Sequence, residues 1–234
     1  MSTIVQNMQA VHASIRAAAN AAGRNPGEVR LLAVSKTFPA EAVLEAVEAG
    51  QLAFGENYLQ EALDKMALVA DALPGRQLEW HFIGPIQSNK TRPIAASFDW
   101  VHTLERLKIA QRLSEQRPEM RAPLNICLQV NISGEVSKSG VAPEQLLELA
   151  RNVAQLPRLR LRGLMAIPEP ETDFDKQRVA FHRLRVLADA LIADGIPIDT
   201  LSMGMSADLA AAIAEGATMV RVGSAIFGVR KYEA

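Results

Sequence analysis

Strand-like and helix-like runs alternate along nearly the whole chain, and this alternation limits the possible fold more than any other feature. The strand-like runs cover residues 30–36, 52–56, 79–84, 100–104, 125–132, 161–167, 200–204 and 219–227. Helix-like segments lie between them, at residues 40–49, 59–72, 105–116, 144–155, 175–193 and 207–215. Several strand-like runs are almost continuously apolar, which is typical of parallel strands covered on both faces. Eight such units predict an α/β fold of the (β/α)8 TIM-barrel type.

The segment before the first strand-like run predicts an additional helix. Residues 4–22 are Ala-rich with helical character, and we expect them to pack on the outside of the barrel. An open doubly wound sheet is the main alternative, but no Gly-x-Gly-x-x-Gly pattern follows the first strand. No long linker, low-complexity tract or internal repeat divides the chain, so we expect one domain over residues 1–234.

Composition excludes several classes of function. The 25 basic and 26 acidic residues nearly cancel, which gives no support to a nucleic-acid partner. The single cysteine, Cys127, cannot form a disulfide within the chain, and the four histidines have no metal-ligand spacing, so we expect no metal. No signal peptide and no apolar run of about 20 residues is present. The expectation is a cytoplasmic protein without a membrane partner.

Lys36 is a candidate nucleophile because it ends the first strand-like run, at the point where a buried strand enters a loop. Poor hydration there disfavours the ammonium form and makes the neutral amine accessible near neutral pH. A neutral amine attacks a carbonyl to form a Schiff base. Taken alone, a lysine at this position is better explained as one that extends its head group to solvent.

Two segments near the end of the chain have the composition of a phosphate site. Gly223 and Ser224 can offer backbone N–H groups and a hydroxyl, and TIM barrels often bind phosphate after their seventh and eighth strands. Ser202, Met205 and Ser206 occupy the seventh position, where Ser206 could also cap the helix that begins near residue 207. Together with Lys36 across the barrel, these segments predict a ligand that carries both a phosphate and a carbonyl group. Pyridoxal 5'-phosphate (PLP) meets that description.

Arg221 refines the prediction for PLP. It lies between Val220 and Val222 of a buried strand, so its side chain is expected to point into the barrel. A pyridine nitrogen that faces a guanidinium stays unprotonated, and the ring is then a weak electron sink. Such a contact would disfavour transamination and decarboxylation.

Six motifs together resemble the pyridoxal phosphate homeostasis protein family, which is related to the N-terminal barrel domain of alanine racemase. They are AVSK at 33–36, FGENY at 54–58, HFIGPIQSNK at 81–90, GLM at 163–165, LSMGMS at 201–206 and RVGSAIFG at 221–228. The resemblance implies an alanine racemase N-terminal-domain-like barrel that carries PLP as an aldimine on Lys36. It implies a role in buffering or delivering the cofactor, with no settled catalytic activity.

The resemblance and the residues together give one set of cofactor-binding candidates. From the residues alone, Asn57 is a turn or cap residue and His81 a hydrogen-bonded core histidine; the resemblance makes Asn57 a neighbour of the cofactor. The full set is Lys36, Asn57, His81, Met165, Ser202, Met205, Ser206, Arg221, Gly223 and Ser224.

We expect no efficient catalysis, although two enzymatic alternatives remain open. Alanine racemases use a lysine and a tyrosine from a second domain, and this chain stops six residues after Gly228. Of the two tyrosines, Tyr58 is expected to pack beside the site and Tyr232 to be inert in the tail. The first alternative is a racemase-type PLP enzyme. The second is a Schiff-base aldolase that acts on a phosphorylated sugar.

The remaining predictions concern partners. Lys90 and Lys138 lie just after predicted strands and could form a second, looser site for phosphate or aldehyde. The expected partners are PLP and apo forms of PLP-dependent enzymes. Without the second domain of the racemases, a monomer is expected.

Overall fold

The computed structural model describes residues 2–133 and 139–228, and within these ranges eight parallel strands close into a barrel. The strands follow chain order around the barrel, and β1 pairs with β8 to close it. They are β1 (Arg30–Val34), β2 (Ala53–Glu56), β3 (Glu79–Phe82), β4 (Trp100–Leu104), β5 (Leu124–Gln129), β6 (Leu159–Met165), β7 (Thr200–Ser202) and β8 (Met219–Val222). The prediction of a (β/α)8 TIM barrel is confirmed.

Helices surround the barrel and connect successive strands. In the described part of the chain they are α1 (Thr3–Ala21), α2 (Ala40–Glu48), α3 (Leu59–Ala72), α4 (Thr91–Ser97), α5 (Leu107–Gln116), α6 (Pro143–Ala154), α7 (Phe174–Ala193), α8 (Leu209–Ala214) and α9 (Ser224–Phe227). Short 3-10 turns precede β1, at Pro26–Glu28, and α4, at Ser88–Lys90.

Helix α1 is the additional N-terminal helix that the sequence predicts. The Ser2 hydroxyl accepts a hydrogen bond from the Val5 N–H at 3.3 Å and so caps its first turn. The helix buries one face at helical spacing, with Met8 and Ile15 at its centre, and packs against α8 and α9. Asn7 Nδ2 also donates to the Ile226 carbonyl oxygen at 2.8 Å, which ties α1 to the last turn of helix.

The largest difference from the sequence prediction lies at the end of the barrel. The apolar run 219–227 predicts one continuous strand, but β8 ends at Val222 and Ser224–Phe227 forms the one-turn helix α9. Ile226 is buried against the outer helices, so its apolar character reflects helix packing. Other predicted strands also run past their observed ends, because apolar residues such as Ile167 continue beyond the last ladder bond.

Two small groups of buried side chains lie in the barrel interior. Small apolar groups fill part of it, around Leu32 and Met219. A second group combines Trp100, Cys127 and Met165, and burial raises the pKa of the Cys127 thiol to about 12. Gly163 lets β6 approach β7 closely, since a Cβ there would lie 1.7 Å from the Thr200 carbonyl oxygen. The inner wall therefore tolerates little change in side-chain volume.

Candidate functional site

A cavity of about 560 Å³ opens at the carboxyl ends of the strands, where the predicted site residues were expected to converge. Eight of the ten predicted residues line it: Lys36, Asn57, Met165, Met205, Ser206, Arg221, Gly223 and Ser224. They come from the ends of five different strands and the loops that follow. The cavity therefore depends on closure of the whole barrel.

Lys36 lies two residues after the end of β1 and is half-buried at the wall of the cavity. The turn that follows it is tightly built. Phe38 N donates to the Ser35 carbonyl oxygen at 3.1 Å, and Thr37 adopts a left-handed conformation with φ of 67°. The Thr37 N–H donates to Glu61 Oε1 at 2.6 Å, which holds this strained backbone in place. These hydrogen bonds fix the backbone that follows Lys36.

A buried group of charges lies behind this loop, between the barrel wall and α3. We call Ser35, Glu56, Glu61 and Lys65 the outer cluster. Lys65 Nζ donates to the Ser35 carbonyl oxygen at 2.8 Å, to Glu56 Oε1 at 2.6 Å and to Glu61 Oε1 at 3.0 Å. Ser35 Oγ also donates to Glu56 Oε1 at 2.7 Å. The outer cluster therefore joins the end of β1, the end of β2 and α3.

Burial dominates the electrostatics of the outer cluster. The side chains of Lys65 and Glu56 are 3% and 0% exposed. Burial raises the pKa of Glu56, although the charge of Lys65 opposes this rise. Glu56 Oε2 has no hydrogen-bond partner among the described residues, so the fit of this group is incomplete.

The opposite wall of the cavity is the turn between β8 and α9. Gly223 is confined there, because an added Cβ would lie 3.1 Å from the Val34 carbonyl oxygen. Ser224 begins α9 and is exposed, as is Ser206 in the preceding strand–helix loop. Hydroxyl and backbone N–H groups of this kind suit a phosphate ligand.

Ser206 does not cap α8. The helix begins at Leu209, and Asp208 occupies the capping position without a side-chain cap. Asp208 Oδ1 instead accepts from the Met205 N–H at 2.5 Å and closes the preceding turn. The prediction of a capping role for Ser206 is wrong, because the loop is two residues longer than expected and Asp208 takes the local hydrogen bond.

Arg221 forms the floor of the cavity and is 5% exposed. Its Nη1 donates to the carbonyl oxygen and the hydroxyl of Ser202, at 2.6 and 2.8 Å, and its Nη2 donates to the Ala166 carbonyl oxygen at 3.0 Å. Burial lowers the pKa of Arg221 to about 10, which still leaves it charged at neutral pH. The prediction that Arg221 points into the barrel is confirmed.

His81 and Ser202 are the two predicted residues that do not line the cavity. Both are fully buried in the barrel interior. His81 forms hydrogen bonds with His102 and Glu79, as expected of a core histidine, and Ser202 contacts the cavity only through Arg221. The structure therefore places these two residues beneath the site.

Several apolar residues at the site have no sequence motif that distinguishes them from ordinary core residues. Val34, Phe38, Ile83 and Ile167 line the cavity and provide its apolar surface. The outer cluster had one available signal, since Lys65 lies on the buried face of α3 together with Ala62 and Val69. A lysine on the apolar face of an amphipathic helix indicates a buried ionic contact.

The lysines and tyrosines predicted around the site fall in different places. Lys90 is exposed at the end of a 3-10 turn and does not line the cavity. Tyr58 is 50% exposed and does not line it either. Lys138 and Tyr232 lie outside the described residues. A second site that involves Lys90 or Lys138 stays a prediction.

Comparison with known proteins agrees with this fold. Residues 6–231 match the family described as alanine racemase, N-terminal domain. Two bacterial relatives carry the name pyridoxal phosphate homeostasis protein. The Pseudomonas aeruginosa protein is 65% identical over 100% of this chain and 99% of its own length. The Vibrio cholerae protein is 55% identical over 99% of this chain and 98% of its own length.

A solved structure is similar over nearly the same extent. PipY of Synechococcus elongatus, determined with PLP bound, has a TM-score of 0.82 and 37% sequence identity, covering 96% of this chain and 100% of that one. The fold and the cavity thus define a barrel of the alanine racemase N-terminal-domain class. Within that class, the chain belongs to the pyridoxal phosphate homeostasis protein family.

The described residues contain neither a membrane-spanning helix nor a cluster of metal ligands. None of their helices combines the length and apolar character required to cross a bilayer. Across residues 2–133 and 139–228, no group of three or more His, Cys, Asp or Glu side chains is placed to hold a metal ion.

Proposed function

We propose that this protein binds PLP in the cavity at the carboxyl ends of the strands, through a Schiff base with Lys36. The observation that carries the proposal is that Lys36, Arg221 and Ser224 line one cavity of about 560 Å³. This volume lies within the range of small-molecule sites. The names of the relatives and the PLP bound to PipY support the same ligand.

The chemistry of the cavity walls matches the three functional parts of PLP. The Lys36 amine can condense with the aldehyde to form a C=N bond, with release of water. Gly223, Ser224 and Ser206 can donate hydrogen bonds to the phosphate. Two of the five N–H groups of Arg221 have no acceptor among the described residues and remain for the ring nitrogen.

The shape of the turn after β8 also fits a phosphate group. Gly223 leaves room between this turn and Val34 that any Cβ would reduce, since it would lie 3.1 Å from the Val34 oxygen. We therefore expect Gly223→Ala to weaken the binding of PLP more than it weakens the fold.

The visible spectrum of the purified protein tests the binding proposal. A Schiff base of PLP absorbs in the visible range, and borohydride reduction followed by peptide mapping should place the adduct on Lys36. Lys36→Ala should lose the band, while Lys90→Ala, which changes an exposed lysine outside the cavity, should keep it. A colourless protein that takes up no added PLP would overturn the proposal. Trapping of a sugar phosphate on Lys36 would then indicate the aldolase.

We further propose that the protein is a non-catalytic, cytoplasmic carrier that releases PLP to apo forms of PLP-dependent enzymes. Among the described residues, no tyrosine lines the cavity, so a second acid/base group opposite Lys36 is missing from its wall. A positioned acid/base group typically contributes about 10²- to 10⁴-fold in rate. Met205, Ser206 and Ser224 at the rim are exposed, which suits exchange with free amines.

Proton exchange at the α-carbon distinguishes a carrier from an enzyme. The loaded protein, incubated with L-alanine in heavy water, should incorporate deuterium no faster than free PLP at the same concentration. Exchange that is at least 100-fold faster, with appearance of the D-enantiomer, would support the racemase-type alternative instead. Release of PLP to an apo-aminotransferase, followed by recovery of its activity, tests the carrier role directly.

A further inference from the structure

A continuous series of hydrogen bonds passes through the barrel interior beneath the cavity. The Ser202 hydroxyl, which accepts from Arg221, lies 2.8 Å from His102 Nδ1. His102 Nε2 in turn lies 2.9 Å from His81 Nδ1. Ser202, His102 and His81 are each 0% exposed, so every contact in this part is shielded from water.

The series ends at the opposite face of the barrel. His81 Nε2 lies 2.8 Å from Glu79 Oε1, and the same oxygen accepts from Arg30 Nη2 at 2.6 Å. Glu79 and Arg30 are the first residues of β3 and β1, whereas Arg221 lines the cavity at the other ends of the strands. We call this set the interior chain: Arg30, Glu79, His81, His102, Ser202 and Arg221.

The donors and acceptors of the interior chain allow one direction only. A guanidinium donates and cannot accept, and a carboxylate accepts and cannot donate. Because the Glu79 carboxylate only accepts, a neutral His81 donates to it from Nε2. His81 Nδ1 then accepts from His102 Nε2, and His102 Nδ1 accepts from the Ser202 hydroxyl, whose oxygen also accepts from Arg221. With both imidazoles neutral, each contact holds one proton.

The surroundings of the two histidines favour their neutral forms. Burial lowers the pKa of His81, against the contact with Glu79, and burial and the nearby cations lower the pKa of His102 well below its ordinary value. The His81 ring also stacks on Trp100, with centroids 5.3 Å apart, which fixes its plane. The carboxylate at the far end is thus the group that sets the direction.

We propose that Glu79, His81 and His102 are positioning residues for Arg221, which they orient from the opposite face of the barrel. If the hydrogen bonds ran in the opposite direction, His102 Nδ1 would donate to Ser202 Oγ. That oxygen would then face two N–H donors, and its hydrogen bond from Arg221 Nη1 would weaken. With the direction fixed, the free N–H groups of Arg221 keep one orientation toward the cavity. Its importance for PLP rests on the function proposed above, but the orientation itself exists without the ligand.

The proton positions can be measured in the unliganded protein by ¹⁵N NMR of the histidine side chains. We expect His81 and His102 each to carry the proton on Nε2. A proton on Nδ1 of His102 in the native protein would overturn the proposal without any variant. This measurement does not depend on PLP, so it stands even if the binding proposal fails.

Glu79→Gln tests the remote effect, because an amide can donate or accept and no longer fixes the direction. We expect mixed histidine tautomers and exchange of the Arg221 side-chain N–H protons about fivefold faster than in the native protein, as for a lost hydrogen bond. The dissociation constant for PLP should rise by a similar factor, with an altered visible band.

Asp199→Asn is the matched control. Asp199 lies just before β7, at the same end of the barrel as Glu79 and away from the cavity. It is paired with Arg162 at 2.8 Å and is not part of the interior chain. It should leave the Arg221 exchange rate and PLP affinity unchanged. Equal effects of the two variants, or no effect of Glu79→Gln on Arg221, would show that these residues have only a structural role. If no variant binds PLP but Arg221 still responds, the proposed function has failed and the positioning has not.

Discussion

The outer cluster and the interior chain both reach the cavity from behind, yet they handle buried charge in opposite ways. The outer cluster places Lys65 directly against Glu56, with both side chains nearly inaccessible to water. The interior chain keeps its formal charges at its two ends and fills the middle with neutral imidazoles and a hydroxyl. One holds the loop of Lys36 and the other holds Arg221. The difference indicates that a buried ion pair stabilises the loop of Lys36, whereas hydrogen bonds of one fixed direction orient Arg221 at the floor of the cavity.

Removal of Lys65 should have the largest effect, since it leaves Glu56 buried without its cation. We expect Lys65→Met to lower the free energy of unfolding by about 3–5 kcal/mol, the range typical of a broken buried ion pair. Urea unfolding of the variant, beside Lys176→Met at an exposed lysine, measures this. The double variant with Glu56→Gln should recover part of the loss. A loss below about 1 kcal/mol for Lys65→Met would mean that the outer cluster is not a charged core.

Removal of the Ser202 hydroxyl should have a smaller effect, because it leaves polar groups unpaired without exposing a lone charge. We expect Ser202→Ala to cost about 1–3 kcal/mol of unfolding free energy. Ser14→Ala, which removes an exposed hydroxyl on α1, should cost less than about 0.5 kcal/mol. Urea titrations measure both losses of unfolding free energy. Equal losses for the two variants would show that the Ser202 hydroxyl stabilises the fold no more than an exposed hydroxyl does.

Acid should separate the two groups by the sign of their response. Burial alone would raise the pKa of Glu79, but its contacts with His81 and Arg30 prevail and lower the pKa to about 2. Its contribution is therefore present above the usual value of 4.5 and is lost as pH falls from there toward 2. Because the side chain is 33% exposed, screening limits the loss to about 1 kcal/mol.

The raised pKa of Glu56 has the opposite consequence, since its contribution is lost as pH rises through the folded-state pKa. The free energy of unfolding of the native protein and of Glu79→Gln, measured between pH 6 and pH 2.5, tests the role of Glu79. The variant should lack the loss of stability in acid that we assign to Glu79. Parallel curves for the two proteins would contradict it.

The smallest expected effect concerns Thr37, the residue that the outer cluster holds in a left-handed conformation. A residue with a Cβ pays about 1–2 kcal/mol to adopt this left-handed conformation, and glycine avoids that cost. Glycine in turn loses about 0.5–1 kcal/mol on folding, because it has more conformational freedom in the unfolded chain. We expect Thr37→Gly to raise the free energy of unfolding by less than about 1 kcal/mol. A clear loss of stability would show that the threonine side chain contributes more than its strained backbone costs.

The sequence was sufficient for the barrel, since continuous apolar runs separated by amphipathic helices have few other solutions. It was less informative about where strands end. Ile226 is as apolar as a strand residue, and only its packing against the outer helices shows that 224–227 is a helix. Hydrophobic pattern reports burial, and both a strand and a covered helix turn satisfy it.

The sequence also predicts most of the residues that line the cavity, because a hydrophobic pattern reports which side chains of a strand are buried. Alternation along a strand identifies which side chains point inward, as it does for Arg221 of β8. It does not report depth, so it does not separate the fully buried His81 and Ser202 from residues that line the cavity. The partners Glu79 and His102 emerge only when strands distant in sequence are brought together, and no local pattern carries that information.

The single cysteine has a practical consequence. Cys127 lies wholly inside the barrel with its thiol pKa near 12, so maleimide and similar reagents should leave the folded native chain unlabelled. A cysteine introduced at exposed Met205, on the rim of the cavity, would then accept one fluorophore at one position without prior removal of other thiols. Loading and release of a ligand could be followed in real time by the quenching of that probe, on a protein otherwise identical to the native one.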